Sequence, residues 1–212
     1  MVVESGYQHQ NLIDPGGSLY YLPSLELRLG LPFDNEAVFF PPNYVHQSFP
    51  HYVGAGAAVI GMKHRIGYNK DWIVSAEWFL IPPSGSAAFG SEGLGASFNG
   101  IINYSLNAQF DFTFMLGGGS TTLSSLNGGQ RYTSINPDLL LTYILNEKVN
   151  FFAEVFGQTR TGPGMGSGYN ADAGVLCLVK SNVVIDLEVG QRLSGELGGY
   201  ERYVGAGITI EL

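Results

Sequence analysis

The chain has 212 residues, 45% of them hydrophobic and only 13% charged, about half the charged share usual in soluble domains, and its aromatic content excludes a disordered chain. Ten Lys and Arg stand against eighteen Asp and Glu, a net charge of −8, which excludes a nucleic-acid partner because phosphates require a basic face. One cysteine, Cys177, excludes an intramolecular disulfide framework or a CxxC site, and no run reaches the length of a transmembrane helix.

The opening residues "MVVESGYQHQ" lack a positive region followed by an apolar one, so they hold no signal peptide. The chain is expected to begin inside its first strand, as a processed or truncated protein. From there the apolar residues alternate rather than recur at helical spacing. The first strands are predicted at 2–10, 20–30, 36–40, 57–67, 72–80 and 97–106. The second half continues with 108–116, 135–145, 149–158, 169–180, 183–193 and a closing strand within "YERYVGAGITIEL" at 200–212. That makes twelve, an even number. Pro23 and Pro137 fall inside these stretches, where a missing ladder donor marks strand starts or bulges.

The polar face identifies the class. In "AQFDFTFML", Phe110, Phe112, Phe114 and Leu116 alternate with Gln109, Asp111 and Thr113. Across the chain the polar positions are Gly, Ser, Thr, Asn and Gln with scattered acids, and the apolar ones are almost purely aliphatic or aromatic. A sheet with lipid outside and packed polar groups or water inside needs this pattern, and within a bilayer such a sheet must close. The expected fold is all-β: a closed, antiparallel, up-and-down transmembrane β-barrel of twelve strands, forming one domain over 1–212.

The connections form a second signal. Short turns at 31–35, 68–71, 105–108, 146–148 and 180–182 alternate with longer segments at 11–18, 41–53, 82–93, 117–130, 160–168 and 193–200. Short periplasmic turns and longer external loops alternate in this way. Two aromatic belts are expected, Tyr68, Trp72, Tyr104, Tyr143 and Phe151 near the short turns and Tyr21, Tyr132, Tyr169 and Tyr200 near the long loops.

The succession "VVESGYQ", "YLPSLELRLGL", "GAGAAVIGMKHRIG", "LIPPSGS", "NFFAEVFGQ", "ADAGVLCLVKSNVVIDLEVG" and "YVGAGITIEL" resembles the MetA-pathway phenol-degradation-like outer-membrane barrels of Gram-negative bacteria. The resemblance spans the chain in order and implies a twelve-stranded outer-membrane barrel that passes small solutes. It also implies lipid and lipopolysaccharide as surroundings and the barrel-assembly machinery as a partner in biogenesis, since the last strand resembles the signal that machinery reads. Two features depart from the family: the missing signal peptide and a final Leu212 where Phe is common.

Strand parity turns Glu26, Arg28, Lys63, Arg65, Glu77, Asp111, Asp138, Glu154, Asp172, Asp186, Glu188 and Arg192 toward the lumen. Glu4, Glu36, Lys180 and Glu211 share that parity, so acids outnumber bases inside, which disfavours anions and tolerates cations or neutral solutes. His9 and His64 fall on the lipid parity, and His46 and His51 in the 41–53 segment. No inward histidine is left as a catalytic base, and neither a cofactor nor a metal is expected. Tyr44, His46, Phe49, His51 and Tyr52 are external-loop candidates, and the loop aromatics Phe40, Tyr44, Phe49 and Tyr52 are placed to greet an apolar or aromatic solute, to fold inward as a constriction or to meet lipopolysaccharide. "GPGMGSG" at 162–168 joins two strands and reads as a flexible external loop, since a phosphate site needs a following helix. The functional expectation is an outer-membrane channel for small, hydrophobic or aromatic solutes. Two other readings stand beside it: a structural or surface-interaction barrel with a plugged lumen, and a soluble lipocalin-like binder.

Overall fold

A computed structural model describes residues 1–13 and 16–212, so positions 14 and 15 of the predicted 11–18 loop lie outside the described residues. The strands are β1 (Val2–Leu12), β2 (Ser18–Leu31), β3 (Asn35–Phe40), β4 (Tyr44–Gln47), β5 (Tyr52–Ala55), β6 (Val59–Tyr68) and β7 (Trp72–Ile81). They continue as β8 (Gly95–Ser105), β9 (Phe110–Thr122), β10 (Arg131–Ile144), β11 (Val149–Gln158), β12 (Gly168–Lys180), β13 (Val183–Ser194) and β14 (Tyr200–Glu211). Every neighbouring pair is antiparallel, and β1 pairs both β2 and β14, which closes the barrel. At the seam Leu212 N–H donates to the Met1 carbonyl at 2.8 Å.

Lipid-side positions are exposed along every strand, as Phe98 (58%), Leu116 (63%) and Leu187 (60%) illustrate. An aqueous fold would not leave so much apolar surface open, whereas a bilayer covers it. Three short turns owe their form to asparagine. Asn69, Asn107 and Asn146 each accept two backbone N–H bonds on Oδ1, from residues 71 and 72, 109 and 110, and 148 and 149. An Asx side chain that mimics a backbone turn tightens the reversal, so all five short turns fall where the sequence places them.

The 41–53 segment differs from its predicted loop. Leu27 lies opposite Phe39 and Leu22 opposite Tyr44, five residues farther along each strand, so β4 keeps the register of β3 against β2. Phe40 lies opposite Val59 and Tyr44 opposite Ala55, so β5 likewise continues β6. The barrel therefore has twelve strands, two of which are interrupted, and the extra pair is their outer halves. Tyr44 and His46 stand in β4 and Tyr52 in β5; Phe49 and His51 alone occupy the tip. The hairpin extends the wall along β2 and does not fold into the lumen.

Two further corrections have different causes. β9 runs to Thr122 and β10 starts at Arg131, so the predicted 117–130 loop shortens. "GGGSTT" is wall, and a Cβ on Gly117 would meet Asn99 Oδ1 at 1.8 Å: glycine makes room for an inward side chain lying flat on the neighbouring strand. Of the outer belt, Tyr169 packs on the outside over Gly157. Tyr132 shares the inward parity of Asn136 and Asp138. Tyr21 and Tyr200 also turn inward, each beyond a one-residue register shift, in β2 against β1 and in β14 against β1. A bulge reverses facing, so constant parity misplaces residues beyond it. The short-turn belt forms as expected, with Trp72 on Tyr104 at 4.5 Å and Phe110 on Tyr143 at 5.1 Å between ring centroids. Pro23 sits beside the β1–β2 register shift, and Pro137 where regular β10–β11 pairing stops at Asp138.

The same flat packing holds Tyr203, whose ring covers Gly190; a Cβ there would stand 2.1 Å from the ring. Gly190→Val is expected to lift Tyr203 from Asp172 and to cost about 1–3 kcal/mol, the usual price of overpacking. Equilibrium unfolding from lipid vesicles checks this, and an unchanged midpoint contradicts the assignment.

Candidate functional site: the lumen and a break in its wall

Four inward acids form a row around one arc of the lumen. Glu154 on β11 lies directly opposite Asp172 on β12, with Asp138 diagonal on β10 and Glu188 diagonal on β13. Tyr203 Oη donates to Asp172 Oδ2 at 2.6 Å, and Gln8 Nε2 to Glu188 Oε1 at 3.3 Å. Among the described residues no ion pair reaches Asp138, Glu154, Asp172, Asp186 or Glu188. Asp186 and Glu188 lie over Gly207 and Gly205, where a side chain would displace them.

The opposite arc is partly neutralised, with Arg28 and Lys63 set among Glu4, Glu26, Glu36 and Glu77. Arg28 bonds Glu4 and stands 3.8 Å from Glu26 and 4.0 Å from Glu36. Lys63 lies between Glu36 and Glu77 across two ladders, and Asn99 donates to Glu77 at 2.8 Å. Asp111 sits one residue into β9, by the short turn. Arg65 and Arg192 stand apart from both arcs. Arg65 bonds Asp34 in a turn and stacks on Tyr68, and Arg192 pairs with Glu201 at 2.6 Å at the opposite rim. The charges are thus segregated, which gives the lumen a transverse field rather than a uniform one.

Toward the long-loop end, side chains fill the barrel beside β1, β2, β12 and β14. Asn170 is fully buried and donates to Tyr200 Oη at 2.8 Å, and Tyr200 meets Tyr203 edge-on at 5.3 Å. Leu19, Gln10 and Val45 join them as buried residues. Beneath this cluster lies a cavity of about 580 Å³, within the size range of small-molecule sites. Its lining includes Glu4, Gln8, Glu26, Asp186 and Glu188 on one side and Phe40, Val59, Phe79 and Ile81 on the other.

The cavity abuts a crease. β2 loses its outer neighbour over residues 23–26, between the β3 and β4 ladders. At the same height stand Pro41 and Pro42, then residues 56–58 between β5 and β6, then Pro82 and Pro83 just beyond β7. Proline has no N–H to give to a ladder, so three adjacent ladders break along one line. Leu25, Pro41, Asn43 and Ala57, all beside the break, line the cavity. Isolated bonds span it, from Gly56 N to Asn43 O at 2.9 Å and from Ala58 N to Ser84 Oγ at 3.0 Å.

Outside, His9, Tyr20 and His46 stack in series, with centroids 4.6 and 5.6 Å apart, and His51 meets His46 edge-on at 5.3 Å. Among the described residues no group of three or more His, Cys, Asp or Glu is placed to hold a metal ion. Sequence parity together with strand order brings the acid row together. Tyr203 and Gln8 follow from the same parity, and the crease from the paired prolines, once the strands are aligned.

No protein-family model matches the chain, and no curated protein matches its sequence. Its fold is similar to that of the COG4313 outer membrane channel from Pseudomonas putida F1, with a TM-score of 0.75 at 12% identity over 99% of this chain and 94% of that one. The KdgM porin aligns at 0.68 and 8% identity over 100% and 99% of the two chains. The NanC porin aligns at 0.65 and 11% identity, with the same coverage. At such identities the likeness is one of architecture: the chain folds as a porin-type transmembrane β-barrel.

Proposed function

We propose that this protein is an outer-membrane channel for small solutes, and that apolar or aromatic ones pass between its lumen and the bilayer through the crease. The observation that carries the reading is the position of the cavity, capped by packed side chains toward the long loops and bordered sideways by the broken ladders. An apolar solute already dissolved in the bilayer meets the wall there without passing that cluster.

Likeness to KdgM does not extend to solute. That porin has been captured with oligogalacturonate, a polyanion, and here the uncompensated acid row presents the wrong sign of field.

Planar-bilayer recording and solute entry into proteoliposomes test the proposal. Small, cation-preferring conductance and entry of phenol-sized solutes are expected. The triple variant Asp138→Asn, Glu154→Gln, Asp172→Asn is expected to lower the cation-to-anion permeability ratio by roughly threefold or more, because it removes the fixed charge that sets the sign of the field. Absence of both ion and solute flux from correctly folded protein overturns the channel reading in favour of a plugged barrel.

A further inference from the structure

The cavity beside the crease has two chemically distinct sides and, among the described residues, no cationic side chain on its lining. Glu4 is engaged by Arg28, which also stands near Glu26. Glu188 has only the neutral amide of Gln8, and Asp186 has no side-chain partner among the described residues. Among the described residues neither Lys nor Arg lines the space. The apolar side is built by Phe40 and Phe79, whose rings meet edge-on at 6.0 Å, with Val59 and Ile81 beside them. Glycine keeps the acid side open: residues larger than glycine at 205 and 207 would collide with Glu188 and Asp186.

We propose that this cavity binds an amphipathic organic cation, with its ammonium group on Asp186 and Glu188 and its apolar body against Phe40 and Phe79. A carboxylate placed in low-dielectric surroundings without a counter-charge is costly, and an ammonium ligand supplies that charge together with hydrogen-bond donors. The same body ending in a hydroxyl gains only the apolar side. Ending in a carboxylate, it is repelled. The inference narrows the solute class of the proposed channel and relies on that reading only for its biological use, since binding is measured without transport.

The test uses the full chain in lipid nanodiscs at pH 8, with empty discs as the blank, titrated calorimetrically with 4-phenylbutylammonium, 4-phenylbutanol and 4-phenylbutyrate. The ammonium compound is expected to bind at least about tenfold more tightly than the alcohol, and the carboxylate to show no saturable binding. In the Asp186→Asn, Glu188→Gln variant the ammonium affinity falls to that of the alcohol, whose own affinity stays within about twofold; Phe79→Ala weakens both. Heat-modifiable gel mobility certifies that each variant is folded. Equal binding of alcohol and ammonium, or a preference that survives in the double variant, overturns the proposal. Conductance of the same preparations reports separately on the channel reading.

Discussion

Leu187→Arg is expected to destabilise the barrel by about 2–4 kcal/mol, the cost of a cationic side chain at the bilayer midplane, while Glu188→Gln one position on costs less than about 1 kcal/mol. Leu187 lies midway along β13 between Ile185 and Val189 on the outward parity, with 60% of its surface exposed. In water such exposure would make arginine harmless. In lipid the guanidinium must snorkel to the interface or drag water inward. Glu188 points into the lumen, where an amide can keep its bond with Gln8. Guanidinium unfolding from vesicles of defined composition measures both variants. Equal losses would mean that the two faces of β13 have been assigned wrongly.

The second large effect is kinetic. In a Cys177→Ala background, Leu25→Cys and Pro41→Cys place two thiols across the crease, at positions that the common register of β3 and β4 against β2 sets opposite one another. Directly opposed Cβ atoms in a sheet lie about 4.5–5.5 Å apart, within reach of a short bis-thiol reagent, and of a disulfide if the gap narrows. Crosslinking is expected to slow entry of a phenol-sized solute into proteoliposomes by about tenfold, as expected when opening of a gate limits the rate. Ion conductance stays within about twofold, and cleavage of the link restores entry. Unlinked double-cysteine protein is the control for loss of Pro41. Solute entry that ignores the crosslink would place the route elsewhere.

How much of this was legible in the sequence depends on what each feature requires of the chain. Lipid and lumen impose opposite demands on successive residues, so "AQFDFTFML" and "VVIDLEVGQRL" declare their strands and their facing. The asparagine-led turns declare themselves too, because a side chain does the work locally. The acid row follows from parity plus strand order, since Glu154 and Asp172 need only the 149–158 and 169–180 strands to be neighbours. Bulges defeat that reasoning: a one-residue shift in the β1–β14 pairing reverses Tyr200, and nothing local marks it. Glycine misleads in another way. In "GGGSTT" it suggests a loop, yet it serves as the recess that receives Asn99. The prolines at 41–42 and 82–83 suggest loops for a similar reason, and their meaning as one line across the wall exists only once separate strands are set side by side.

That line has a thermodynamic consequence. Below the crease every strand is bonded on both sides, so opening any part means breaking continuous ladders. Above it, the β4–β5 hairpin is joined to β2 through four residue pairs, Leu19 with Gln47 to Leu22 with Tyr44, and the bonds between Ser18 and Ser48, and on its other side by Ser86, whose N–H and hydroxyl both donate to the Ala55 carbonyl. Cooperative units in a protein are separated where few bonds cross. This hairpin is therefore expected to open while the rest of the cylinder stays shut, with an opening free energy of its own rather than a fraction of the barrel's.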